Sequence, residues 1–257
     1  MPIRVHFGSE ALYGFLLTLT RTGSALFLLP LPAFKDLAVP ARIVLIAGVT
    51  FALLPVWPVV HLDPLSGSQF FLAVLTESAF GLLLGLAMSF LNGTFQLAAQ
   101  TISMQAGFSF ASTIDPTSQA DITVFQMLSQ LVSGLLFFSL GIHRELFRLL
   151  AYSFDVFSPD KNVLNQASLS TVVSLGATMF ATGLRLGFPV VALLLLAEVA
   201  LAVLGRLHSQ LHLIMLTFPI KTALSFAFLA AIMVRWPALY EQTARRVFQA
   251  LAQLGLR

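Results

Sequence analysis

Two groups of residues have types and spacing that invite chemistry. His208 and His212 stand four apart in HSQLH, so on a helix they share a face. Two histidines do not make a zinc site without a third ligand, and the motif lacks the glutamate of HExxH. The pair reads as interfacial; His6, His61 and His143 also stand at segment ends. No metal and no other cofactor is expected. Gly107–Phe108–Ser109 invites a nucleophilic serine. Such a serine needs a base within hydrogen-bond reach, and no histidine stands in a recognisable arrangement with it. The chain has no cysteine, which excludes disulfides, thiolate metal sites and thiol catalysis. No catalytic residue is expected, and the chain is not read as an enzyme.

Charge is the more informative chemistry. Arg21, Glu77, Arg185, Glu198 and Lys221 lie within or near apolar runs. A charge at the centre of a bilayer costs at least about 2.5–3.5 kcal/mol on insertion scales. Each must therefore meet water, another charge or a partner protein. A tight turn near Ser209–Gln210 would put Glu198 and Lys221 at similar depth on antiparallel helices, and the two are expected to face each other across that hairpin. Arg185 and Glu198 are 13 residues apart, about 20 Å along a helix, so they cannot pair within it. Their presence argues that lipid does not surround this helix.

The middle of the chain, SMQAGFSFASTIDPTSQ at 103–119, is rich in small residues and carries Phe108 and Phe110. No lysine or arginine occurs between Arg42 and Arg144. Phenylalanine excludes water, and hydrophobic constrictions can gate by dewetting. Ala106, Gly107, Ser109, Ala111 and Ser112 allow tight packing and movement, and Asp115–Pro116 biases a turn. On the residues alone, an ordinary interhelical turn with two packed phenylalanines is the better reading.

These residues are carried by a chain that is 58% hydrophobic and 10% charged, with a mean hydropathy of +0.90. Soluble domains average about 45–50% apolar and 25% charged residues. The chain is therefore read as an all-α, polytopic integral membrane protein. Its 257 residues leave room for about five to seven helices of about 20 residues. Its net charge of +3 lies in connections and tail and does not suggest nucleic acid.

The apolar segments are expected at about 11–31, 43–60, 70–100, 124–150, 171–207 and 212–236. The fifth is expected to break near Gly187–Pro189, and Pro219 lies inside the sixth. Glu10 before the first segment and Arg21 within it make that segment a retained helix rather than a cleavable signal. The tail from Pro237 has apolar residues at helical spacing, namely Leu239, Ala244, Val247, Phe248, Leu251 and Leu254, and reads as an amphipathic helix. Gly81–Gly85 and Gly183–Gly187 are GxxxG spacings and predict close helix packing. If six helices span, the distribution of Lys and Arg favours both termini inside.

Three stretches, in order, resemble the FliR family of flagellar type III export-gate proteins, within the SctT/FliR superfamily. They are VPARIVLIAGVTFALLPVWP at 39–58, the central region, and LLLLAEVALAVLGRLHSQLHLIMLTFPIK at 193–221. In the central region Gln105, Gly107, Phe108, Ser109, Asp115, Pro116 and Ser118 fit the family pattern Q-x-G-x-S-x-A…D-P-x-S. Ser209–Gln210 stands where the family often has Pro-Gln, and His212 where it often has Asn or Ser. The DPTS ending favours the flagellar branch over the injectisome homologue SctT. A stand-alone secondary transporter built on the broken fifth and sixth segments is the further alternative.

The resemblance implies one helical subunit over 1–257. A FliP-like part covers about 1–165 with a central loop at 101–122, and a FliQ-like hairpin with an amphipathic helix covers about 166–257. It implies assembly with FliP and FliQ around a conduit for unfolded flagellar substrates, work with FlhB, and residence in the bacterial inner membrane at the flagellar basal body. Contact with lipid is implied and nucleic acid is not. It also implies that Met104, Gln105, Gly107, Phe108, Ser109, Phe110, Asp115 and Pro116 belong to a pore-closing loop. The five charges listed above then serve buried packing and assembly.

Overall fold

A computed structural model of the chain describes residues 9–29, 38–57, 67–108, 123–157, 166–207 and 213–254. Among these residues the structure is helical, without strands. The helices are α1 (Ser9–Phe27), α2 (Val39–Ala52), α3 (Gly67–Ala106), α4 (Val124–Ser139), α5 (Ile142–Val156), α6 (Gln166–Leu207), α7 (Leu213–Met233) and α8 (Trp236–Ala252), with a 3-10 turn at Leu54–Val56 after α2.

Local chemistry explains most boundaries. Pro40 sits in the first turn of α2, where a missing N–H costs nothing. Gly107 adopts φ +93° directly after α3. The Phe108 amide then donates to the Ser103 carbonyl (3.1 Å) and the Gly107 amide to the Met104 carbonyl (3.2 Å). This is the Schellman pattern that ends a helix on a left-handed glycine. Gly141, at φ +71°, separates α4 from α5, so the segment expected at 124–150 is two helices rather than one. The break expected near Gly187–Pro189 is absent: α6 runs unbroken through Pro189 over 42 residues. The sixth segment ends at Val234–Arg235, where the chain bends by 62° into α8.

By length and composition, two helices can each cross a membrane, Gly67–Ala106 and Ser168–Leu207, and up to four if each bent pair, α4 with α5 and α7 with α8, is one span. At 1.5 Å per residue, α3 and α6 are each about 60 Å long. That is twice the hydrocarbon core of a bilayer, about 30 Å.

The chain forms two compact units, each discontinuous in sequence. The first comprises Met1–Phe90, Phe137–Gly176 and Arg245–Arg257; the second comprises Leu91–Leu136 and Ala177–Ala244. In the first, Leu17, Leu26, Phe80, Leu84, Met88, Phe137, Leu146 and Leu150 are buried, and Phe15, Phe51 and Trp57 pack at tilted angles with ring centroids 5.3–6.2 Å apart. In the second, Leu91, Phe95, Ile102, Phe125, Val190, Leu194, Trp236 and Tyr240 are buried. Phe95 packs on Trp236 (5.7 Å) and Tyr240 (5.1 Å), and the Tyr240 hydroxyl donates to Asn92 Oδ1 at 2.5 Å. In α8 the buried face is Trp236, Tyr240, Ala244, Val247 and Leu251. It keeps three of the six residues expected there and adds two aromatic ones.

Both GxxxG spacings are close-packing sites inside a unit. A Cβ on Gly85 would meet the Ala25 carbonyl of α1 at 2.5 Å, and one on Gly81 would overlap Ser24 and the Arg21 backbone. A Cβ on Gly183 would meet the Thr94 carbonyl of α3 at 2.8 Å, and Gly187 lies against Thr101 and Ala98.

Candidate functional site

Two polar arrangements stand out, one in each unit. In the first unit Arg21, 1% exposed, forms a bidentate ion pair with Glu77, 2% exposed. Nη1 donates to Ser153 Oγ (2.9 Å), and Nη2, which also donates to Glu77, donates to the Phe157 carbonyl (3.0 Å). The guanidinium lies 4.1 Å from the Phe154 ring centroid and 4.8 Å from that of Phe80. One arginine thus ties α1, α3 and α5. An arginine suits this place because its planar fork matches a carboxylate and its faces stack on rings. The sequence marked Arg21 and Glu77 as charges needing partners. It did not reveal that they are each other's partner.

In the second unit the end of α3 meets α6 and α7. Lys221 Nζ donates to Glu198 Oε2 at 2.9 Å, the pairing expected from the hairpin. Lys221 is 11% and Glu198 50% exposed at the side chain. Gln105 Nε2 donates to the same carboxylate oxygen at 3.1 Å. One turn on, Phe108 makes edge-on ring contacts with Phe125 of α4 (5.2 Å) and with Phe218 (6.1 Å) and Phe226 (6.2 Å) of α7. Phe125 and Phe226 also contact each other, at 5.0 Å. Met104 faces outward, 60% exposed, while Ala106 and Ser103 are fully buried.

The remaining candidates are placed as follows. Ser109, Phe110, Asp115 and Pro116 lie outside the described residues, as do His6, His61, His208 and His212 and the turn at Ser209–Gln210. Arg185 is exposed on α6, and no ion-pair partner stands beside it among the described residues. His143 lies beside Phe137 and Phe138. No three metal-ligating side chains cluster among the described residues. The contacts of Gln105 with Glu198, of Phe108 with α7, and of Asn92 with Tyr240 were not foreseen. Each joins residues that are 93 to 148 apart in sequence or that lie on separate helices, and no local spacing signals them.

The family described as bacterial export proteins, family 1, matches residues 12–247. The chain belongs to this family. The flagellar biosynthetic protein FliR of Escherichia coli (strain K12) is 28% identical over 225 residues, covering 87% of this chain and 86% of that protein. The protein of the same name from Bacillus subtilis (strain 168) is 29% identical over 227 residues, 85% of each chain. That of Caulobacter vibrioides is 24% identical over 218 residues, 83% of this chain and 86% of that one. Together with the long apolar helices, these matches make the chain a membrane protein of the flagellar export apparatus, as the central and 193–221 motifs implied.

Proposed function

We propose that this chain is a non-enzymatic channel subunit of the flagellar type III protein export gate, whose central loop, which follows α3 from Gly107 rather than starting at residue 101, helps to close the conduit. The observation that carries the reading is the family match over 12–247, with likeness to FliR proteins along more than four fifths of both chains. In this reading the chain assembles with FliP and FliQ in the inner membrane at the flagellar basal body. It works with FlhB, and unfolded flagellar substrates pass through the conduit.

Two physical features support it. First, α6 is the more apolar of the two helices that can each cross a membrane, yet of its most apolar 18 residues only 17% are buried. Leu184, Phe188 and Leu196 are 49–69% exposed on it, with Arg185 among them. An apolar surface of this extent needs a covering partner or lipid, and an exposed arginine at its middle is better met by protein. Second, the loop's small residues and phenylalanines suit a compact, water-excluding closure. The reading is tested by Phe108→Gly with Phe110→Gly in cells carrying the whole apparatus. Leakage of small molecules through the resting gate should rise severalfold while the subunit still co-purifies with FliP. Unchanged leakage, with assembly intact, counts against closure by this loop.

A further inference from the structure

The face of α6 that points away from the core carries a seam at helix-pairing spacing. At about 100° per residue, Ala181, Arg185, Phe188, Leu196, Val199 and Val203 lie within about 60° of one line along the helix. Their spacings are 4, 3, 8, 3 and 4, and Ala192 divides the eight into two fours. Ala192 is half-buried, while the other six are exposed, Phe188, Leu196, Val199 and Val203 by 52–69%. Repeated steps of three and four are the pattern by which one helix meets another. The opposite face of α6 is taken up inside the second unit: Gly183 and Gly187 press on α3, and Val190 and Leu194 are buried.

Arg185 is the one charge in this seam. A single polar residue in an apolar seam fixes the register of the helix that docks there, provided that the charge is met. Among the described residues no carboxylate pairs with it. The carboxylates of the two longest helices are engaged elsewhere, Glu77 with Arg21 and Glu198 with Lys221 and Gln105. Two features favour a protein carboxylate over a lipid phosphate. An arginine on a helix leans toward the N-terminus, here over Thr178 and Ala181, which are small and exposed. Small residues let a second helix backbone come close, room that acyl chains do not need. The planar guanidinium also matches a carboxylate through two hydrogen bonds. A second copy of this chain does not supply that group. Glu198 stands 13 residues beyond Arg185, about 140° around the helix, so two such seams laid together bring the arginine no partner.

We infer that the α6 seam docks one helix of another gate subunit, and that this helix carries an Asp or Glu which pairs with Arg185 beside Ala181 and so sets its register. The inference rests on the reading of the chain as an export-gate subunit, and it adds which face is docked and by what charge.

The test co-produces the tagged chain with FliP and FliQ and measures how much of each is recovered with it. Arg185→Glu should cut recovery at least about tenfold, the effect of leaving an interfacial charge unpaired. Each Asp and Glu in the apolar helices of FliP and FliQ is then changed to Arg beside Arg185→Glu, and one such change should restore recovery. Because the chain has no cysteine, Ala181→Cys adds a single thiol, which should form a disulfide with a cysteine placed next to the restoring position. Arg185→Gln, with the partner carboxylate changed to its amide, serves if Arg185→Glu alters the melting of the separate chain. Recovery indifferent to Arg185→Glu overturns the inference. A loss that no reversal restores, with no disulfide from Ala181→Cys, also overturns it and leaves a lipid phosphate as the group that meets Arg185. If the unaltered chain recovers neither FliP nor FliQ, the export-gate reading itself falls, whereas an intact complex indifferent to Arg185 removes only the pairing.

Discussion

A guanidinium that is 1% exposed between two phenyl rings persists only while its donors are met. Glu77, Ser153 and the Phe157 carbonyl meet them. The ion pair need not be a net source of stability, because desolvating both charges costs about as much as their attraction returns. Removing one partner is different. Glu77→Ala leaves Arg21 charged and unpaired and should destabilise the first unit by about 3–5 kcal/mol. The double change Arg21→Met with Glu77→Leu should be far milder and close to neutral. The check is the thermal unfolding of the three purified proteins in one detergent, and a double variant less stable than Glu77→Ala would contradict this account. The sequence flagged both charges, because an apolar context makes any charge conspicuous. It did not pair them, because 56 residues and a helix separate them. Glu198 and Lys221 were paired from sequence, since a hairpin places residues equally distant from its turn at one depth.

At the scale of helices, glycine decides how closely the axes approach. Gly183 sits where an added Cβ would press on the Thr94 carbonyl at 2.8 Å and on Leu97 at 3.0 Å. Gly48 of α2 has open space around the same position. Replacing a helical glycine by alanine stabilises an unobstructed helix by about 1 kcal/mol, whereas overpacking costs about 1–3 kcal/mol. Gly48→Ala should therefore raise stability and Gly183→Ala should lower it, as read by detergent-phase melting. Effects of equal sign at the two positions would show that α6 and α3 are not in close contact there. The same contact explains why α6 continues through Pro189. Gly183 and Gly187 precede the proline against α3, and Val190 and Leu194, 2% and 0% exposed, follow it in the core. Packing on both sides holds a helix that local propensity would have broken.

For the whole chain, the dominant fact is apolar surface left uncovered: Phe71, Leu135, Phe188, Leu196 and Val203 are each more than half exposed. Lipid can cover some of it. It does not satisfy Arg185, which stands exposed in the middle of a helix about 60 Å long. On the proposed function, co-production with FliP and FliQ should convert a polydisperse, detergent-aggregated chain into one discrete larger species on size exclusion. Arg185→Leu should weaken that assembly and leave the melting of the separate chain unchanged. A chain that is monodisperse alone and indifferent to FliP and FliQ would remove the basis for the export-gate assembly.

Composition determined the class of this protein without any coordinates, because 58% hydrophobic residues with 10% charged ones cannot provide a soluble surface. Helical periodicity and turn chemistry determined most elements, and the order of short motifs along the chain determined its family. Tertiary structure alone decided that the segment after the loop is two helices, that Pro189 does not break α6, that Arg21 meets Glu77, and that Phe108 meets rings of α4 and α7. All four depend on contacts between residues far apart in sequence or on the freedom of one glycine to take a positive φ. Local spacing constrains neither, since burial and close approach are properties of the folded chain.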